Sequence, residues 1–206
     1  LVPEGREAAF ADAFALAVTQ LFPTIAGNPD YAAIISPQHH ERLQALLAQA
    51  EGDGARLQVL NPGGSSSDTA RQMAPVLVFG AKPGLKLMQE EIFGPVLQIV
   101  RADSFEEAVR LPSDHQYGNG VAIFTRNGHA AREFAARVNV GMVGINVPVP
   151  VPVAYYSFGG WKASLFGDTH MYGAEGMSFY TRGKVVTSRW PDPATSAVDL
   201  GFPRTR

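Results

Sequence analysis

Two adjacent carboxylates, Glu90 and Glu91, stand between two apolar runs that are predicted to be buried strands. Carboxylate oxygens accept hydrogen bonds from hydroxyl groups and pair with cations, so residues 88–94 are a candidate binding segment. The 206 residues contain no cysteine. This excludes disulfides, thiolate metal sites and thiolate nucleophiles within them.

The histidines do not form a site with recognisable spacing. His39 and His40 are neighbours on a predicted helix, where adjacent side chains point about 100° apart, so both are expected on a solvated face rather than on one metal ion. His115, His129 and His170 lack the spacing of a metal site or a catalytic triad. We therefore predict no metal and assign these three no role.

Two low-complexity features each allow a structural interpretation. The glycines near the C-terminus do not follow the GxGxxG pattern of a nucleotide-binding loop, so they are expected to serve tight turns. The alternating valines and prolines of residues 147–153 could be an extended ligand for an aromatic groove or a buried crossing segment. Their apolar side chains favour the buried segment.

Composition excludes several classes of protein. The chain is 46% hydrophobic and 17% charged, with a formal net charge of −2 and a pI of 6.2. Such a chain is not intrinsically disordered, shows no basic footprint for nucleic acid, and has no apolar run long enough to span a membrane. Residues 1–6 lack the features of a signal peptide and look like an internal cut, so a cytoplasmic location is expected.

Strands and helices alternate along the chain. Apolar spacing predicts a helix over residues 10–21, and Ser36-Pro37 begins a second helix that ends near Gly52. Ser104 and Glu107 form a capping box for a third helix, and residues 61–68 are predicted to be an exposed loop. The remaining predicted elements are strands at 56–60, 75–79, 95–100, 121–125 and 142–147 and a helix at 129–138. We predict an α/β fold with an open parallel-type sheet covered on both faces by helices.

The last β-prone segment, residues 178–190, has no neighbouring strand in sequence with which to pair. An unpaired strand edge invites pairing with another chain, so this segment is predicted to be an oligomerisation strand of a homo-oligomer. Residues 1–177 would then form the main domain, and residues 178–206 the strand and tail.

The sequence EEIFGPV at residues 90–96 resembles a signature of the aldehyde dehydrogenase superfamily. Further resemblances follow in the family's order: YGNG before VAIFT, GMVGIN, and FGGWK at residues 158–162. Residues 95–191 most resemble the methylmalonate semialdehyde dehydrogenase branch. Residues 1–90, with LVPEG, NPDYAAII and HHERL, are more similar to the coniferyl aldehyde dehydrogenase branch.

The resemblance implies an aldehyde substrate, NAD or NADP as cofactor, and water or coenzyme A as acyl acceptor. By position, Glu91 matches the carboxylate that binds the nicotinamide ribose, Phe93 matches the aromatic residue beside the nicotinamide ring, and Phe158 matches a wall of the aldehyde tunnel. The family's nucleophilic cysteine, general base and dinucleotide-binding domain precede the matched region. The alternatives from residue type alone are a surface glutamate and two core phenylalanines.

Two functions follow. The first is the C-terminal catalytic-domain portion of an NAD(P)-dependent aldehyde dehydrogenase, related to methylmalonate semialdehyde dehydrogenase and inactive as an isolated chain because it has no cysteine. The second is a non-catalytic, truncated or rearranged remnant that serves as a scaffold or oligomerisation module.

Overall fold

The computed structural model describes residues 1–64, 71–190, 192 and 194. These residues form two compact units: Leu1–Val151 with Gly159–Asp168, and Pro152–Phe158 with the chain from Thr169 onward. The first unit contains the strands β1 Val2–Pro3, β2 Arg56–Val59, β3 Val76–Phe79, β4 Val96–Ile99, β5 Arg101–Ala102, β6 Tyr117–Gly118, β7 Gly120–Ile123, β8 Met142–Ile145 and β9 Trp161–Lys162. Its helices are α1 Glu7–Leu21, α2 Pro37–Gly52, α3 Lys86–Gln89, α4 Phe105–Asp114 and α5 Gly128–Arg137, and the second unit contains α6 Gly173–Phe179.

Strand β3 is covered on both faces, as its continuous apolar run predicts. Val76 and Val78 point to one face and pack in a cluster with Leu43 of α2. Leu77 points to the other face and packs with Val18 of α1. Alternation along the strand therefore places α1 and α2 on opposite faces of β3, and the apolar face of α2 packs against Val76 and Val78.

The α/β fold is confirmed, with a mixed rather than wholly parallel strand arrangement. Strand β3 is parallel to β4, and β7 is parallel to β8, because the connections that contain α3 and α5 act as crossovers. Strand β2 is antiparallel to β3, and β6 is antiparallel to β9. The short strands β1 and β5 form a further parallel pair.

The predicted helix starts are confirmed by their caps. The Ser36 hydroxyl accepts a hydrogen bond from the backbone N–H of His39, and the Ser104 hydroxyl accepts one from Glu107. The Glu107 carboxylate accepts from the backbone N–H of Asp103, one residue before the position that a capping box predicts. Of the predicted loop at 61–68, residues 65–68 lie outside the described part of the chain.

The C-terminal segment differs from the predicted strand. Ser178 and Phe179 belong to helix α6, and residues 181–190 form no strand. A strand needs a partner for its backbone N–H and C=O groups, and none of the described residues supplies one. The valines of the 147–153 run are exposed, so the prediction that they form a buried segment is wrong for the described chain.

Among the described residues, no helix combines the length and the apolar character that a membrane crossing requires.

Candidate functional site

Residues 90–94 form a loop between α3 and β4 that presents one paired and one unpaired carboxylate. Glu90 forms an ion pair with Arg42 of α2, with 3.3 Å between Nη2 and Oε2. The carboxylate of Glu91 is exposed and has no hydrogen-bond partner among the described residues. Its two oxygens are therefore available to donors from a bound molecule.

Phe93 is not a core residue. Its side chain is 74% exposed, and its backbone has φ of +56°, a left-handed conformation that costs an aromatic residue about 1 kcal/mol or more. Its carbonyl lies 2.8 Å from Nε2 of His39, and the His39 ring meets the Phe93 ring edge-on at 6.3 Å. The surrounding contacts thus hold an exposed aromatic ring in an uncommon conformation, a feature typical of functional sites.

Arg42 holds the backbone of the same loop. Its guanidinium donates to the carbonyl of Glu91 at 2.9 Å and to the carbonyl of Ile92 at 2.9 Å. His39, Arg42 and Leu43 occupy positions i, i+3 and i+4 of α2, so they share one helix face. We call this face the α2 clamp. It fixes the loop through the carbonyls of Glu91 and Ile92 and leaves the carboxylate of Glu91 unpaired among the described residues.

Gly94 completes the contact between the loop and α2. A Cβ atom placed on Gly94 would lie 2.6 Å from Cδ1 of Leu43. Leu43 is fully buried in the core around β3, so it has no room to move away. Only glycine lets the backbone approach the helix this closely.

The Gly94→Ala variant is therefore expected to lower the free energy of unfolding by about 1–3 kcal/mol through overpacking. The matched control is Gly84→Ala, because a Cβ atom there meets nothing within 4 Å. Urea unfolding of both variants measures the difference. Equal stability of the two variants would contradict the close contact with Leu43.

A second set of contacts holds helix α3, which precedes the loop. His115 binds the carbonyl of Met88 through Nε2 at 3.1 Å, and Gln116 donates to the carbonyl of Gln89 at 3.0 Å. Gln98 of β4 donates to the carbonyl of Leu87. The α2 clamp thus holds the candidate loop itself, while residues 115–116 and β4 hold helix α3, from which the loop starts.

Phe158 lies in the second unit. Its ring stacks on the ring of Tyr172, with 4.6 Å between centroids and 4° between planes. The next residue, Gly159, belongs to the first unit, where its carbonyl oxygen leaves no room for a Cβ atom on Gly141. Lys162 in β9 donates through Nζ to the carbonyls of Pro112 and Ser113 at the end of α4.

The sequence interpretation missed the α2 clamp. His39 was expected on a solvated face, yet it contacts Phe93; Arg42 received no role. The spacing of His39, Arg42 and Leu43 on one helix face was visible in the sequence, but nothing in it indicated which loop that face meets. His115 also has a positioning contact that its isolation in sequence concealed.

The geometry supports binding rather than bond-breaking chemistry by this loop alone. Glu91 offers a hydrogen-bond acceptor, and Phe93 offers a flat apolar ring. No residue of the loop at 90–94 carries a hydroxyl, thiol or amine that could act as a nucleophile. No group of three or more possible metal ligands occurs among the described residues. A bound molecule with vicinal hydroxyls and a flat ring would use both groups.

The sequence matches the aldehyde dehydrogenase family over residues 1–186. The malonate-semialdehyde dehydrogenase of Pseudomonas aeruginosa is 60% identical over 122 residues, which are 59% of this chain and 24% of that protein. The acylating, mitochondrial methylmalonate-semialdehyde dehydrogenase of Arabidopsis thaliana is 41% identical over 184 residues, covering 87% of this chain and 30% of that protein.

A solved structure shows the same fold. A Sinorhizobium meliloti protein, assigned as a methylmalonate-semialdehyde dehydrogenase and crystallised with NAD, superimposes with a TM-score of 0.80 and 39% identity. The match covers 93% of this chain and 40% of that protein. The chain therefore spans between a quarter and two fifths of the length of these relatives, and the likeness extends well before residue 95.

Proposed function

Because the chain belongs to the aldehyde dehydrogenase family, we propose that it is the C-terminal catalytic-domain portion of an NAD-dependent dehydrogenase for methylmalonate semialdehyde or malonate semialdehyde. The observation that carries this proposal is the loop at 90–94. It presents the unpaired Glu91 carboxylate and the exposed Phe93 ring on a backbone fixed by the α2 clamp.

Glu91 and Phe93 have the chemistry that the nicotinamide half of NAD needs. The Glu91 carboxylate accepts hydrogen bonds from the two ribose hydroxyls, as a free group with two oxygens can. Phe93 packs beside the nicotinamide ring and limits its movement. The bound NAD supplies the hydride acceptor; the relative crystallised with NAD supports this choice of cofactor over NADP.

The nucleophile comes from outside these 206 residues, since they contain no cysteine. The first unit has an apolar cleft of about 1100 Å³, which supports the proposal that another part of the dehydrogenase packs against it. Two of its lining residues, Phe10 and Phe124, are exposed large hydrophobic side chains. We assign this cleft to contact with the rest of the dehydrogenase, because such apolar surface is usually covered.

The acyl acceptor is coenzyme A in this proposal, since the Arabidopsis thaliana relative is named as acylating. The resemblance of residues 1–90 to coniferyl aldehyde dehydrogenases stays a prediction, and it makes coniferyl aldehyde the alternative substrate to test. Phe158 forms a wall of the aldehyde site, where an apolar ring excludes water from the reacting aldehyde.

The test uses a reconstituted dehydrogenase, in which residues 1–186 of this chain replace the matching part of the Sinorhizobium meliloti relative. NADH formation is measured with methylmalonate semialdehyde and with coniferyl aldehyde, each with and without coenzyme A. We expect the highest kcat/KM with methylmalonate semialdehyde and coenzyme A. A preference for coniferyl aldehyde would contradict the substrate, and equal rates without coenzyme A would contradict the acyl acceptor.

Residues 178–190 are proposed to join a neighbouring subunit of a homo-oligomer. Val185 is 94% exposed and Trp190 is 91% exposed, an arrangement that leaves apolar side chains in water unless another chain covers them. In this proposal residues 1–177 form the catalytic portion, and 178–206 form the assembly strand and tail.

The 206-residue chain is therefore expected to form a dimer or a larger oligomer at micromolar concentration. Light scattering after size exclusion gives its mass, and the double variant Val185→Asp with Val186→Asp should shift it towards 22.1 kDa. The charges would have to be buried at the interface, which costs several kcal/mol. A mass of 22.1 kDa for the unsubstituted chain would contradict the assembly strand.

A further inference from the structure

We propose that Tyr172 is a positioning residue that fixes the ring of Phe158 and thereby determines which aldehydes the enzyme accepts. The inference rests on the proposed function for Phe158 and adds a residue to it. Its basis is the geometry of the second unit, in which two chain segments present these rings face to face.

The ring of Tyr172 covers one face of Phe158. The planes are parallel within 4°, and the centroids lie 4.6 Å apart, which is close contact for a stacked pair. Tyr172 is 41% exposed, and its hydroxyl has no hydrogen-bond partner among the described residues. The contribution of Tyr172 to this contact is therefore the area of its ring and not its hydroxyl.

Backbone contacts hold the two segments in register. The Ser157 hydroxyl donates to the carbonyl of Tyr172 at 3.0 Å and accepts from the backbone N–H of Glu175 at 3.2 Å. The backbone N–H of Gly173 donates to the carbonyl of Ala154 at 3.2 Å. These bonds flank both aromatic residues, so they hold the two backbone segments at the spacing that brings the rings into contact.

Gly173 and Glu175 fix the turn that carries Tyr172. Gly173 has φ of +63°, and a Cβ atom there would lie 2.6 Å from the backbone nitrogen of Ser157. The Glu175 carboxylate accepts from the backbone N–H of His170 at 2.6 Å and binds ring Nδ1 of His170 at 3.0 Å. His170, whose side chain is 15% exposed, anchors the chain just before Tyr172.

The stack restricts the rotation of Phe158 about its side-chain bonds. A ring covered on one face cannot turn towards Tyr172, so the opposite face remains a wall of constant position. A fixed wall favours small aldehydes such as semialdehydes of three or four carbons. Without the Tyr172 ring, Phe158 could turn into the vacated space and admit longer aliphatic aldehydes.

The stack itself is tested in the 206-residue protein by NMR with ring-labelled phenylalanine, and Phe158→Leu identifies the signal. Stacking on Tyr172 should shift the Phe158 ring protons upfield. The Tyr172→Leu variant should abolish this shift, and Tyr172→Phe should retain it. An unchanged Phe158 signal in Tyr172→Leu would overturn the positioning role.

The effect on specificity is tested in the reconstituted dehydrogenase with propanal and hexanal. Tyr172→Leu is expected to change the ratio of kcat/KM values in favour of hexanal by about tenfold or more, mainly through the KM of hexanal. Tyr172→Phe, which keeps the ring, should retain the original ratio of kcat/KM values. An active Tyr172→Leu enzyme with an unchanged ratio would overturn the specificity role alone. Inactivity of the unsubstituted reconstituted enzyme would overturn the proposed function, and the specificity role with it.

Discussion

The Glu91→Ala variant of the reconstituted dehydrogenase should have a KM for NAD raised by about ten- to a hundredfold. Each hydrogen bond to a charged group contributes about 1.5–3 kcal/mol, and about 1.4 kcal/mol corresponds to a factor of ten. The carboxylate of Glu91 has no partner among the described residues, so its removal costs no contact of the fold. Steady-state kinetics at saturating aldehyde measures the change, and urea unfolding should show unaltered stability.

The adjacent carboxylate supplies the matched control. Glu90 is paired with Arg42 rather than free, and both side chains are partly exposed. Glu90→Ala should therefore leave the KM for NAD within about twofold and change stability by less than about 1 kcal/mol. Equal effects of the two variants on the KM would show that Glu91 has no special role in cofactor binding.

The Arg42→Ala variant should lower kcat/KM for NAD by about tenfold or more, because Arg42 holds the backbone that carries both proposed cofactor contacts. Arg42 holds the carbonyls of Glu91 and Ile92 at 2.9 Å. Without these bonds the loop can leave the left-handed conformation at Phe93, and both proposed cofactor contacts are then misplaced. We also expect a loss of about 1–2 kcal/mol in the free energy of unfolding.

Two further variants separate positioning from charge. Arg42→Lys keeps the positive charge but lacks the fork of donors that reaches two carbonyls, so it should resemble Arg42→Ala. Arg110→Ala removes an arginine whose ion pairs with Glu107 and Asp114 lie on the surface of α4, and it should leave the kinetics unchanged. Full activity in Arg42→Lys would show that charge, not the held backbone, matters.

The local elements were predictable because their causes are local. Ser36 and Ser104 begin helices through side-chain caps that the sequence displays, and the apolar run of β3 predicts a strand covered on both faces. The resemblance of EEIFGPV located the candidate loop because it, too, depends only on consecutive residues of the chain. The α2 clamp could not be predicted, because residues 39–43 and 90–94 meet only through the packing of α2 against β3.

The C-terminal segment shows the converse limit. Its β-prone composition predicted a strand from Ser178, but composition describes a tendency that only a partner strand can satisfy. In the single chain Ser178 and Phe179 continue α6 instead, and the apolar side chains beyond them stay exposed. The stack of Phe158 on Tyr172 was equally hidden, since it joins residues fourteen positions apart through bonds of Ser157 and Gly173.

We propose that this chain supplies the cofactor loop of an aldehyde dehydrogenase and depends on another segment for its nucleophile. The most direct measurement compares NADH formation by the isolated 206-residue protein and by the reconstituted dehydrogenase, with the same semialdehyde and the same NAD concentration. We expect turnover by the reconstituted enzyme and none by the isolated protein. Turnover by the isolated protein, or a folded reconstituted enzyme without activity, would contradict the proposal.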